Sequence, residues 1–359
     1  MLDEKNCERI PDHQKEHLEN LRKNNVPRFL FRAFSSKSGG GLPVTLNNSN
    51  LIVPHAYMGP DRVLGFYATP ERTLHKMAHA HFDGKHKPLS PFSSWAASLH
   101  LVLCYASSLR GDTYVAVIDT EMVDGEVLVW HVPHLIPESN DEYLAYGVMK
   151  GAGFVAVPLL KMKEKLHQVF PELKKRDNYM DEPFSFGFDL RKRMFEVENV
   201  GKPDAKMLKN IGQISLLFGD LQYPVATALL CARPWSWTKR DADSGRSVPP
   251  TGELERMLHI MKIAVKPTWL ESQLPWLQYG AVQTTPGLDD SRDFPDVRQW
   301  IDLLHAISLH VSPEKPEKGK HEKSKKRKHG KVVVAGGDEK GSRSKRQATE
   351  ANNVVKDDC

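Results

Sequence analysis

Strand-like runs in this 359-residue chain cluster before residue 160, and helix-period stripes fill the stretch after residue 203. Phe29 to Phe34 is mostly apolar around Arg32 and reads as a buried strand. Thr113 to Thr120, with Tyr114, Val115, Val117 and Ile118, reads as a second strand, and Val127 to Val132 as a third. Phe154 to Leu160 is a fourth, entered through the turn Gly151-Ala152-Gly153. Beyond Pro203 the period changes. Met207, Ile211, Ile214 and Phe218 recur at helical spacing before Gly219, and an apolar segment from Val225 to Leu230 that must stop by Pro234 makes a hairpin with them. Leu254, Met257, Leu258, Met261 and Val265 form another stripe, capped by Thr251 and ended near Pro267. Val297, Trp300, Ile301, Leu304 and Ile307 form the last, after Pro295. These stripes are packing faces rather than cofactor boxes. Trp235 to Pro250 and Gln278 to Pro295 read as loops, and there is no internal repeat. The pattern predicts an α+β fold.

One charge inside an apolar strand needs a partner, because a lone buried guanidinium is costly. That singles out Leu30-Phe31-Arg32-Ala33. Two other short pieces stand out with it: Pro91-Phe92-Ser93-Ser94-Trp95 and Asp141-Glu142-Tyr143-Leu144-Ala145-Tyr146-Gly147. After Ser94, the apolar residues Trp95, Leu99, Val102 and Ala106 recur at four, three and four positions, the stripe of a core-facing helix capped by serine. Glu142 falls on a loop or helix start just before an inner strand. Taken one at a time, Arg32 reads equally as a structural arginine paired to a core carboxylate, Ser93 as an N-cap, and Glu142 as a solvated loop residue.

In order and spacing the three pieces resemble the arginine, serine and glutamate motifs of the toxin-like branch of the ADP-ribosyltransferase superfamily. The match covers roughly residues 26 to 160. The same stretch resembles a fungal domain of unknown function with that core, with a similar Phe-Ser-Ser-Trp block followed by a helical tail region. The resemblance implies a split, mostly antiparallel sheet with flanking helices, and NAD as substrate. Glu142 would stabilise the ribosyl cation formed when the nicotinamide bond breaks, as a carboxylate does in glycoside cleavage. Arg32 would fork onto the pyrophosphate. Ser93, with Ser94 second, would hydrogen-bond the ribose and the glutamate from the mouth of a helix. Two departures matter. Asn140 stands where arginine-modifying members carry a second acid, which argues against transfer to protein arginine. Trp95 replaces the third hydroxyl of the serine block. A catalytically inactive scaffold, or a protein-interaction module of the same fold, is therefore the alternative reading.

Charge is unevenly placed. From Pro313 onward the chain carries 14 Lys or Arg against 8 Asp or Glu, so with +5 overall the remainder stands at −1 and is no basic nucleic-acid binder. Lys315 to Lys331, with Lys325-Lys326-Arg327-Lys328 at its centre, contains no aromatic residue and reads as disordered; its function is a nuclear import signal or simply a solvating tail. Ser344-Lys345-Arg346 extends the signal. The expected organisation is 1–25 as a helical or flexible segment, 26–160 as the ADP-ribosyltransferase-like domain, 161–311 as a helical extension and 312–359 as a basic tail. No apolar run approaches membrane-spanning length, and Met1 to His17 is too charged for a secretory signal. Cys7, Cys104, Cys231 and Cys359 have no paired spacing, which suits a reducing compartment; Cys104 and Cys231 read as buried thiols. These features predict a nuclear or cytoplasmic protein, nuclear favoured, with no membrane partner. His75, His79 and His81, with His86 nearby, form a rival constellation, since the first two lie one helical turn apart after Thr69-Pro70-Glu71; without an acidic or cysteine ligand at a matching spacing, a polar helix face is the reading and no metal is expected.

Overall fold

A computed structural model describes residues 1–35, 38, 47–59, 62–85, 87–109, 112–138, 142–174, 183–197, 200–237, 248–263, 265 and 294–311. The expected basic tail, His86, Asn140, the Gln278 to Pro295 loop up to residue 293 and most of the loop after Trp237 lie outside these residues. Contacts divide the chain into Met1–Glu314 and Lys315–Cys359, and every described residue belongs to the first unit.

The strand expectations hold closely. β1 spans Phe29–Ser35, β4 Thr113–Asp119, β5 Leu128–His131 and β8 Phe154–Pro158. With β3 at Phe92–Trp95 and β6 at Tyr143–Tyr146 they form two three-stranded antiparallel sheets, ordered β1-β4-β8 and β3-β6-β5. A two-stranded ribbon of β2 (Leu51–Ile52) and β7 (Met149–Lys150) is separate. The two larger sheets meet where Phe31 and Ala96 exchange backbone hydrogen bonds of 2.8 Å in each direction. At the opening of β1, Arg28 clamps both carboxylate oxygens of Asp119 at the end of β4, with Nη2 to Oδ2 at 2.8 Å. A buried arginine with a core carboxylate thus exists, four residues before Arg32.

Helices cover the sheets. α1 (Asp12–Asn25) packs over β5 and α2 (Glu71–Phe82) over β3, around Leu18, Phe66, Leu74, Trp130 and Leu144, where the Phe66 and Trp130 rings stack at 4.1 Å. The main core lies on the other sheet and continues into α3 (Leu99–Ser108), α5 (Leu159–Val169), α6 (Pro183–Phe195), α7 (Ala205–Ser215), α8 (Gln222–Cys231), α9 (Thr251–Met261) and α10 (Pro295–Val311); α4 is a single turn, Val132–Leu135. α7 and α8 do pack on each other, across a kink at Gly219, whose φ of +55° suits glycine. The seam between core and helices is continuous: Trp300 of α10 meets Phe31 of β1 at 5.6 Å between ring centres.

Three expectations need correction. Ser93 and Ser94 lie on a strand, β3, and not at a helix start; α3 begins at Leu99, and its cap is Ser98, whose Oγ accepts from the Leu101 N–H at 3.1 Å. The FSSW block is held extended because all four of its residues pair with β6. Thr251 is the first helical residue of α9 rather than its cap, and α9 stops at Met261, where Lys262 turns left-handed (φ 55°) well before Pro267. Finally, Ala205–Cys231 taken together is long and apolar enough to cross a membrane. Its most apolar 18-residue window is 72% buried within the fold, where it serves as core.

Candidate functional site

Residues 26 to 160 bring Arg32, Ser94 and Glu142 to the seam between the two sheets. Register explains how. Phe31 is bridged to Ala96, so Arg32 lies beside the end of β3. Trp95 pairs with Tyr143, so Glu142, one residue earlier, lies beside the same end. The Glu142 backbone carbonyl accepts from the Val132 N–H at 3.0 Å, which fixes the approach to β6.

Arg32 donates from Nη1 to the backbone oxygen of Ser94 at 2.5 Å, while its buried Nε has no partner among the described residues. Burial pushes the guanidinium below its ordinary range; Tyr105 and Glu142 act against that shift and help it stay charged. Glu142 is half-buried and carries an interaction of its own. Ser94 uses its side chain as well: Oγ lies 2.8 Å from His81 Nε2, on the last turn of α2. Burial first, then Arg32 and His55, push His81 down to about 3, so its imidazole is neutral beside the fixed cation.

Successive strand residues face opposite ways, so Ser93 cannot join this group. It is buried on the other face, where its Oγ accepts from Trp95 Nε1 at 3.0 Å. Of the two serines named from the sequence, Ser94 stands at the seam and Ser93 braces a core tryptophan.

The histidine constellation comes apart. His75 and His79 lie 4.5 Å apart on α2, and His79 Nδ1 is 3.6 Å from a Glu138 carboxylate oxygen, whereas His81 turns inward to Ser94. No group of three or more ligating side chains suited to a metal exists among the described residues. His55 and Tyr105 are the neighbours that sequence reasoning missed at this seam, and His81 was read only as part of a polar helix face. Each lies at least 10 residues in sequence from the nearest motif residue, and only tertiary packing unites them. The buried thiols are as expected: Cys104 is pushed up to about 12 by burial, and Cys231 is raised by the same cause.

A family model described as a domain of unknown function (DUF7587) matches residues 25–153, which include Arg32, Ser94 and Glu142. No curated protein and no solved structure matches the chain.

Proposed function

We propose that this chain is an ADP-ribosyltransferase-like protein that takes NAD at the seam of its two sheets, with Glu142 as the catalytic carboxylate, Arg32 facing the pyrophosphate and Ser94 facing the ribose. The observation that carries the reading is the convergence of Arg32, Ser94 and Glu142 where two split antiparallel sheets meet. In that reaction the ribose–nicotinamide bond breaks heterolytically, nicotinamide leaves with the electron pair, and the carboxylate offsets the positive charge on the ribose until an acceptor lone pair closes the new bond and the acceptor releases its proton to solvent. The acceptor is a protein, a nucleic acid or water. Within this reading Ser94 takes the role first given to Ser93, because its hydroxyl lies beside His81, which also feels Arg32, whereas the Ser93 hydroxyl is buried against Trp95. Nuclear import through Lys325–Lys328 completes the proposal; deleting residues 313–359 should move a fluorescent fusion out of the nucleus.

One observation favours the second reading, an inactive scaffold of the same fold. Arg32 already spends one arm on the Ser94 backbone and is buried, so a phosphate must compete with a structural hydrogen bond. Nicotinamide release separates the two. The enzyme reading expects turnover in the natural protein and a fall on the order of a hundredfold in Glu142→Gln, as the loss of a charge-stabilising group produces. Equal, negligible release from both proteins across protein, nucleic acid and water as acceptors supports the scaffold.

A further inference from the structure

We propose that a cavity of about 790 Å³ between α3, the start of β4, the end of β8 and α5 binds a small anionic amphiphile, a molecule with an apolar body and one carboxylate or phosphate head. This site is distinct from the Arg32 seam. Its volume falls among those of small-molecule sites, which are concave, mostly apolar and carry a few placed polar groups. Ala106, Leu109, Tyr114, Leu159, Leu166 and Leu173 supply apolar wall. Tyr114 is held in place by stacking on the buried Phe34 ring at 5.2 Å, an interplanar angle of 8°.

The basic groups are what choose the ligand. Lys163 and His167 stand one turn apart on the same face of α5, and Lys174 comes from the short 3-10 helix Pro171–Lys174 that follows. His167 is held below its ordinary range by burial and then by Lys163 and Lys174, so its imidazole is neutral near pH 7 and the two lysines carry the charge. Glu172, on the same short helix as Lys174, is taken by Arg233 at 2.8 Å. Asp112, the acidic wall residue, belongs to the α3–β4 connection instead. Two lysines and a neutral imidazole beside an apolar hollow suit a single anionic head with its body laid over Leu109, Tyr114 and Leu166. Such a head can pair with both ammonium groups and accept from the imidazole, which a neutral apolar ligand cannot do.

The test is isothermal titration of the full chain with 1-naphthyl phosphate, with 1-naphthol and inorganic phosphate alongside, repeated on the double variant Lys163→Glu/Lys174→Glu. Both lysines are exposed, so the variant should keep its melting midpoint. The expected result is saturable binding of naphthyl phosphate, at least about tenfold tighter than either comparison compound, with that preference lost in the variant. No binding to the natural protein, equal affinity for naphthol, equal affinity for inorganic phosphate, or unchanged binding in the variant would each overturn the assignment.

Discussion

Arg32 of β1 and Ser94 of β3 are joined across the seam of two sheets by a side-chain to backbone hydrogen bond of 2.5 Å. The sheets otherwise meet through the Phe31–Ala96 bridge, so the guanidinium reinforces a narrow junction. Arg32→Met keeps the aliphatic stem but leaves the Ser94 carbonyl without this donor, which costs about 1–3 kcal/mol when the acceptor is buried. Urea unfolding should show that loss. A change below about 0.5 kcal/mol would mean that the bond contributes nothing to holding the sheets together.

Ser98, Asp296 and Arg191 tie three helices into the core. Ser98 donates to Asp296 Oδ2 at 2.5 Å, Arg191 Nη1 lies 3.6 Å from Asp296 Oδ1, and the Arg191 guanidinium sits 4.7 and 4.5 Å from the ring centres of Phe188 and Phe294. Asp296→Ala strands a buried arginine, so we expect a loss of about 3–5 kcal/mol. Ser98→Ala removes both the helix cap and the hydrogen bond to Asp296 but strands no buried cation, and should cost about 1–3 kcal/mol. Chemical denaturation of both single variants and the double one should show strong coupling; simple additivity would break the proposed network.

Gly212 shows which of two opposed effects wins. Alanine in a helix interior is favoured over glycine by about 1 kcal/mol. A Cβ at 212, however, would sit 2.5 Å from the Met261 carbonyl oxygen, where α7 crosses the end of α9. Gly212→Ala should therefore lower the melting temperature rather than raise it. A rise would show that α9 moves aside at little cost.

Burial lowers His81 to about 3 and His100 to about 4, and neither His100 ring nitrogen has a partner among the described residues. The unfolded chain, with ordinary histidines near 6.5, then binds more protons than the folded one between about pH 4 and 6.5. Stability is complete above about pH 6.5 and falls as pH drops through that window, by at most about 1.4 kcal/mol per pH unit for each such histidine. The urea midpoint should be lower at pH 5 than at pH 7.5. His100→Phe should flatten that dependence, and an unaltered slope would show that His100 is not one of its sources.

Sequence patterning revealed the elements better than it revealed their ends. β1, β4, β5 and β8 announced themselves because mostly apolar β-formers filled short runs bounded by turn residues. The serine block misled because Trp95 to Leu99 is a four-residue step that fits a helix, while the decisive influence, pairing with β6 some fifty residues away, leaves no local trace. α5 was legible in Leu159, Met162, Leu166 and Val169 but was masked by the apolar strand running straight into it. At the candidate site, Arg32 and Glu142 were found by residue type and order. His81 was noticed as a member of the wrong group, since its partner Ser94 is close in the chain yet lies on a strand.

The most direct test of the central claim is calorimetric titration of the full-length protein with NAD. Saturable binding of one NAD per chain, retained in Glu142→Gln and weakened at least about tenfold in Arg32→Lys with the fold intact, is the result expected if Arg32 meets the pyrophosphate at the seam. No binding up to about 1 mM NAD, or equal affinity in the natural protein and Arg32→Lys, would contradict it.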